Sequence, residues 1–136
     1  MIDDLVAKRA ESSDMLTWRI LHDDDDGMTY GLPSDKNILE MHLKNANGHI
    51  VWRTGYAIGC FSVVVDEMGM ATGGIIVMRS ERRKGYGSKI LKIQEDIARN
   101  LGAHSFRCDV FTDNLPTINL MRTNQYRPFV WFEKRL

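Results

Sequence analysis

The stretch Ile75-Ile76-Val77-Met78-Arg79-Ser80-Glu81-Arg82-Arg83-Lys84-Gly85-Tyr86-Gly87-Ser88 runs from a β-branched segment through a basic loop and two glycines into an amphipathic helix. Strand, basic turn and helix start in that order form a cradle for phosphate. Arg82, Arg83 and Lys84 bring positive charge, and Gly85 and Gly87 let a ligand approach the backbone. A helix starting near Ser88 aims its unpaired N–H groups and the positive end of its dipole at the same place. The guest that suits such a loop is a polyphosphate. The plainer reading of the glycines, a tight turn and nothing more, stays open on Gly-x-Gly alone.

Neither common nucleotide motif fits. The dinucleotide fingerprint needs a third glycine where Ile90 stands, and the P-loop needs its lysine after the last glycine, whereas Lys84 precedes Gly85. The pattern that fits is Arg/Gln-x-x-Gly-x-Gly/Ala, read as Arg82-Arg83-Lys84-Gly85-Tyr86-Gly87, with Val77 five positions before the arginine. It resembles the acetyl-CoA loop of the GNAT superfamily of N-acetyltransferases. Downstream, Val110-Phe111-Thr112-Asp113-Asn114 and Leu120-Met121-Arg122-Thr123-Asn124-Gln125-Tyr126 are similar to that family's strand, asparagine and final helix. The resemblance covers residues 70 to 136, and the first half matches in outline.

A chain of 136 residues is expected to form a single domain, 1–136. Its 18 basic and 18 acidic residues cancel, so no global field draws it to nucleic acid or to a membrane; Arg79 to Lys89 is a local basic cluster only. No apolar stretch approaches the roughly twenty residues of a membrane span, and Asp3 and Asp4 stand where a signal peptide would be basic, so the expected location is cytoplasmic. Cys60 and Cys108 lie in strand-like runs and read as small buried hydrophobes rather than as a disulfide or a nucleophile.

Periodicity gives the order β-α-α-β-β-β-α-β-α-β. Leu5 to Ala10 alternates as a strand, Ser12, Ser13 and Asp14 offer caps, and a helix follows with Met15, Trp18 and Leu21 or His22 on one face. A second helix is expected from Asp35 to Asn45, capped by Ser34 or Asp35 after Pro33, with Ile38, Leu39 and Met41 to Leu43 toward the sheet. Strands are expected at His49 to Arg53, Tyr56 to Asp66 and Ala71 to Met78, with turns at Thr54-Gly55 and Glu67-Met68-Gly69. The helix from Ser88 to Leu101 buries Ile90, Leu91, Gln94, Ile97, Ala98 and Leu101. Ser105 to Phe111 is a strand, Pro116 starts a short helix with Ile118 and Met121 inward, and Phe129 to Leu136 closes as a strand.

The fold class is therefore α+β, with a crossover that makes Ala71–Met78 and Ser105–Phe111 parallel neighbours. Resemblance to the family implies a GNAT-like fold: a mixed, mostly antiparallel twisted sheet of about six to seven strands with four helices. It also implies that the two parallel strands splay apart, and that pantetheine inserts there against the backbone of Ile76, Val77 and Met78. Irregularity at Gly73-Gly74 would assist the splay. The resemblance further implies that Arg82, Arg83, Lys84, Gly85, Tyr86, Gly87 and Ser88 hold the pyrophosphate. Asn114 either bonds the pantetheine amides, as the family match suggests, or caps the helix beginning at Pro116.

The implied reaction transfers an acetyl group from acetyl-CoA to a primary amine of a small molecule or protein. An alkyl amine is mostly protonated at neutral pH, and deprotonating it costs roughly 4 kcal/mol. Alignment of amine and thioester can be worth about 7 to 11 kcal/mol, so direct attack without a covalent enzyme intermediate suffices. The family commonly carries a thiolate-protonating tyrosine in its last helix; Met121 stands at that position, and Tyr126 falls where an aromatic core residue is usual. Water or another residue could supply the proton, or the domain could bind coenzyme with little turnover and act by modulating another protein. For the base, Asp109 is the candidate: by alternation it faces away from Cys108 and Val110, either beside the cleft or hydrogen-bonded at a strand edge. His42 is a further option.

The run Asp23-Asp24-Asp25-Asp26-Gly27 is not an EF-hand, since His22 would take the first ligand position and Pro33 the last, so no metal is expected. It joins the first two helices, which the resemblance places beside the acceptor cleft, and there it would favour a cationic amine or a basic protein segment. Trp18, Trp52 and Trp131 are too dispersed to stack nucleic acid and read as core or interface. Exposed sheet edges leave room for a homodimer through the terminal strand.

Overall fold

The computed structural model describes residues 4–24 and 36–136. Strand β1 (Leu5–Arg9) leads through a 3-10 turn at Ser12–Asp14 into helix α1 (Met15–Asp23), and helix α2 (Lys36–Asn45) precedes a meander. The meander holds β2 (His49–Arg53), β3 (Tyr56–Phe61), β4 (Val64–Val65), β5 (Met70–Thr72) and β6 (Ile75–Val77). A second 3-10 turn, Arg79–Glu81, leads to α3 (Tyr86–Asn100), then β7 (Ser105–Arg107) and α4 (Leu115–Thr123). No helix among the described residues is long and apolar enough to cross a membrane.

The strands form two sheets rather than one. β1, β2, β3 and β6 pair antiparallel in the order β1-β2-β3-β6. β4 pairs antiparallel with β5, and β5 pairs parallel with β7, with Met70 opposite Ser105 and Thr72 opposite Arg107. The expected strands Tyr56–Asp66 and Ala71–Met78 are each broken, at Ser62-Val63 and at Gly73-Gly74, so the chain changes sheet twice at one level. Gly73 permits this, because a Cβ there would stand 1.9 Å from the Ser62 carbonyl oxygen. Gln94 of α3, with no exposed surface, braces both breaks: its Nε2 donates to Ser62 O at 3.0 Å and to Gly74 O at 3.2 Å.

Helices cover both faces of the four-stranded sheet. On one face, Trp18 and Leu21 of α1 and Leu39 and Leu43 of α2 pack on Ile50, Cys60 and Ile76. On the other, Tyr86, Ile90 and Ala98 of α3 pack on Val51, Ile58 and Phe61, and the same cluster takes in Ala71 of β5 in the second sheet. Adjacent residues Ile50 and Val51, or Cys60 and Phe61, thus serve opposite layers, as strand alternation requires. The β5–β7 pairing is the parallel one expected from the crossover.

Several expectations need correction. α3 begins at Tyr86 rather than Ser88, and Leu101 ends it 51% exposed instead of on the buried face. Met41 is exposed: among the described side chains of α2, Leu39 and Leu43 are the buried ones. The entry to α1 is fixed by the Glu11 N–H donating to Asp14 Oδ2 at 2.9 Å, not by Ser12 or Ser13. β7 stops at Arg107, not Phe111, since past that point the facing chain has moved to the other sheet. Phe129–Leu136 forms no strand: it has no ladder, its apolar side chains are exposed, and Trp131 is held by the Arg107 guanidinium 5.7 Å over its ring rather than by a core. Pro33, Ser34, Asp35, Asp25, Asp26, Gly27 and the Ile38 side chain lie outside the described residues.

Candidate functional site

The two breaks open a gap beyond the Thr72–Arg107 pair. On β6 the even-numbered backbone is spent on β3: Met78 N–H donates to Ile58 O at 2.8 Å, and Gly74 O accepts from Ser62 N–H at 3.2 Å. By antiparallel alternation Ile76 also faces β3, opposite Cys60, so Ile75 and Val77 direct their N–H and C=O groups to the other edge. No strand pairs with that edge among the described residues. Of the three backbone positions expected to line the gap, Val77 alone presents its polar groups to it. Ile76 contributes a side chain to the core beneath α1, and Met78 packs against that cluster.

The basic loop closes one end of the gap. Arg82 Nε donates to Val77 O at 2.9 Å, fastening the loop to the open strand edge. Lys84 Nζ meets Glu81 Oε2 at 3.0 Å, which offsets part of its charge. Arg83 is exposed on a left-handed backbone, φ 63°, and Gly85 follows at φ 82° as the residue before α3. A non-glycine residue in that region carries local strain, which the loop retains at its most basic point. α3 spans 15 residues, and its first N–H groups have no carbonyl within the helix to bond.

The residues after Gly85 serve mainly as structure through their side chains. Tyr86 is 3% exposed and buried in the core, with Arg53 5.7 Å over its ring. Gly87 is small because α4 leans on α3 there: a Cβ would meet the Leu120 methyls at 3.2 and 3.3 Å. Ser88 Oγ accepts from Asn124 Nδ2 at 3.0 Å. What Tyr86, Gly87 and Ser88 can offer a phosphate is therefore backbone N–H. The Asn114 side chain caps α4, accepting from the Thr117 N–H at 3.4 Å.

Across the gap, Cys108 Sγ donates to Gly73 O at 3.2 Å. Burial, then the nearby carboxylates of Asp109 and Glu95, push its thiol up to about 12, so it is a protonated thiol rather than a nucleophile. Asp109, two residues past the end of β7, is exposed and lies 3.7 Å from Arg107 Nε, an ion pair rather than an enclosed carboxylate. Met121 is buried at 7% exposure, and Tyr126 donates its hydroxyl to Glu95 Oε2 at 2.7 Å, in edge contact with Phe106. Burial and the Glu95 carboxylate raise the Tyr126 phenol far above its ordinary range, which fits a structural role. His42 is exposed.

Three residues have contacts that the sequence did not show. Gln94 stood on the apolar face of its helix, and a lone amide there was the available signal. Arg79 donates from its backbone N–H to Asp24 Oδ2 at 2.6 Å and from Nε to Asp24 O at 3.0 Å, tying the end of α1 to the exit of β6. That commits Asp24, one of the acidic run, to the fold. His22 sits in the last turn of α1, half-buried, with Nδ1 2.9 Å from Trp18 O.

Residues 14–125 match the model of the acetyltransferase (GNAT) family. No curated protein matches the sequence significantly. The fold is similar to that of AAC(6')-Iy solved with a bisubstrate analog, CoA-S-monomethyl-acetylneamine, at TM-score 0.74 and 17% identity, over 97% of this chain and 99% of that one. A mutant of spermidine N-acetyltransferase SpeG from Vibrio cholerae gives TM-score 0.76 at 17% identity, over 90% of this chain and 78% of that one. The protein yncA from Salmonella typhimurium, solved with acetyl-CoA, gives TM-score 0.74 at 15% identity, over 90% and 79%.

Proposed function

The chain belongs to the acetyltransferase (GNAT) family, and from that premise we propose that it transfers an acetyl group from acetyl-CoA to a primary amine by direct attack. The observation that carries this reading is the open edge of β6, with the Val77 backbone facing the gap and Arg82 holding its carbonyl 2.9 Å away at the mouth of the basic loop. Those parts fit the coenzyme. The Val77 N–H can meet a pantetheine amide, and Arg83 with the N–H groups at the start of α3 can meet the pyrophosphate. Asn114 spends Oδ1 on its cap and would reach an amide through Nδ2.

Bound acetyl-CoA supplies a thioester carbonyl open to an amine. The chain's share is alignment, worth about 7 to 11 kcal/mol when two reactants are well placed. The acceptor approaches from the side of α1 and α2, where the chain carries Asp23 and Asp24 and continues into further aspartates. A polyamine or an aminoglycoside has the cationic character suited to that border, and the likeness to a spermidine and an aminoglycoside acetyltransferase supports such amines as the first panel. Which amine is accepted depends, on this reading, on the stretch from Leu21 to Gly48.

Met121 is buried, and the sequence resemblance sets it at the position of the family's tyrosine; on that ground a second reading stands, a coenzyme-binding module with little turnover that acts on another protein. Thiol release from acetyl-CoA with spermidine, sisomicin and a lysine peptide separates the two. Release dependent on added amine is expected. Coenzyme binding without release for any amine would leave the module reading standing.

A further inference from the structure

We propose that His22 is the group that takes the proton from the acceptor amine, acting through its Nε2. This rests on the acetyl-transfer reading and goes beyond it by assigning the base.

The placement comes from three contacts. His22 ends α1 against the four-stranded sheet, its Nδ1 3.9 Å from Cys60 Sγ on β3. Cys60 is the register partner of Ile76 on β6, the residue next to Val77. Two residues after His22, Asp24 is hydrogen-bonded to Arg79, two residues past the end of β6. The last turn of α1 is thereby pinned over β3 and the end of β6, the strand whose far edge is open, on the face from which the acceptor is proposed to approach.

The ring is also prepared for the task. The Trp18 carbonyl can only accept, so the 2.9 Å contact makes Nδ1 the donor and puts the neutral ring's lone pair on Nε2. The Trp18 indole, 4.7 Å away between centroids, fixes the ring plane. Burial lowers the imidazole's pKa below its ordinary 6.5; the Trp18 carbonyl opposes this, His42 of α2 and Arg19 of α1 add to it, and Asp23 opposes it. Cys60 is the titratable neighbour from β3. The ring is thus neutral near pH 7. By comparison, the exposed Asp109 is paired with Arg107 of β7.

In the step, an ammonium N–H bond breaks and its proton passes to Nε2, giving imidazolium. The amine lone pair forms the C–N bond at the thioester carbonyl carbon, and the C–S bond breaks with its electrons going to sulfur. The remaining excess proton on nitrogen goes to the thiolate, and His22 returns its proton to solvent.

The test is His22→Asn, whose side-chain amide can still donate to the Trp18 carbonyl but has no basic nitrogen. With acetyl-CoA and spermidine, wild-type kcat/KM should rise with pH through a midpoint below 6.5. The variant should lose about 10²- to 10⁴-fold in kcat/KM and lose that limb, while its affinity for acetyl-CoA is unchanged. A variant matching wild type in rate and profile overturns the base assignment and leaves acetyl transfer intact. Wild-type protein that releases no thiol with any amine overturns both. Should the variant not fold, ¹⁵N resonances of His22 in the wild type decide: an Nδ1–H tautomer titrating below 6.5 and shifting with spermidine supports the assignment, and any other result overturns it.

Discussion

Replacing Gln94 by glutamate should damage the protein far more than replacing it by leucine, although glutamate is the closer isostere. The Gln94 amide is fully buried, and its Nε2 donates to Ser62 O and Gly74 O, at 3.0 and 3.2 Å. Its Oε1 is buried with no partner among the described residues. Leucine removes two hydrogen bonds worth about 0.5 to 1.5 kcal/mol each, but also removes a stranded acceptor whose burial costs about 1 to 3 kcal/mol. Gly74 O keeps the Ser62 N–H, so only Ser62 O is left short. The two effects nearly cancel, and Gln94→Leu should change stability by no more than about 1 kcal/mol. Glutamate instead turns the double donor into a carboxylate oxygen facing two carbonyls. The loss of both bonds plus desolvation of a charge costs at least about 3 kcal/mol at pH 7. Burial raises that carboxyl's folded pKa, so the protonated form is the one the fold accepts, and the deficit should shrink as pH falls toward 5. Urea unfolding at pH 7 and pH 5 measures this directly. Equal midpoints for the two variants at pH 7, or a glutamate deficit that grows on acidification, would refute the bracing role of Gln94.

Alkaline stability carries a second signature. Burial, then the Asp109 and Glu95 carboxylates, push the Cys108 thiol from its ordinary value near 9 up to about 12 in the folded chain. Between those values the unfolded chain gives up a proton that the folded chain keeps, so stability falls as pH rises from 9. Cys108→Ala should flatten the first part of that fall in thermal melts recorded from pH 8 to 10. Tyr126→Phe leaves Glu95 without its 2.7 Å donor. The bond joins α3 to the chain after α4, so the change should lower stability by about 1 to 2 kcal/mol, read as a lower melting temperature, with thiol release retained. Loss of turnover with unchanged melting would instead make Tyr126 the proton donor.

The sequence was most informative where one residue type had one physical reason. Gly85 and the strand before it announced a turn into a helix, and the amphipathic spacing of Ile90, Leu91 and Ala98 announced a helix packed on a sheet. The parallel pairing of β5 with β7 followed from the crossover between them. Long-range relations were less visible. Two apolar runs that read as unbroken strands are cut at Ser62-Val63 and Gly73-Gly74, because Gly73 must lie against the Ser62 carbonyl and Gln94 must reach both segments. Phe129–Leu136 has strand composition but gains no ladder partner, and composition cannot supply one. His22 and Arg79 acquire their places from contacts 38 and 55 residues distant in the chain. The approach of Leu120 to Gly87 was not legible, because it joins α3 to α4 across more than thirty residues.

The central claim is that the loop from Arg82 to the start of α3 grips the coenzyme's diphosphate. Calorimetric titration of the wild type and Arg83→Glu with acetyl-CoA tests it most directly. Arg83 is exposed on the loop, so the variant should fold as the wild type does. The wild type should bind with an affinity that weakens as salt is raised, and the charge reversal should weaken binding about tenfold, or about 1.4 kcal/mol. A wild type that evolves no binding heat and shows no affinity by competition, or an Arg83→Glu variant that binds as tightly at every salt concentration, would contradict the account.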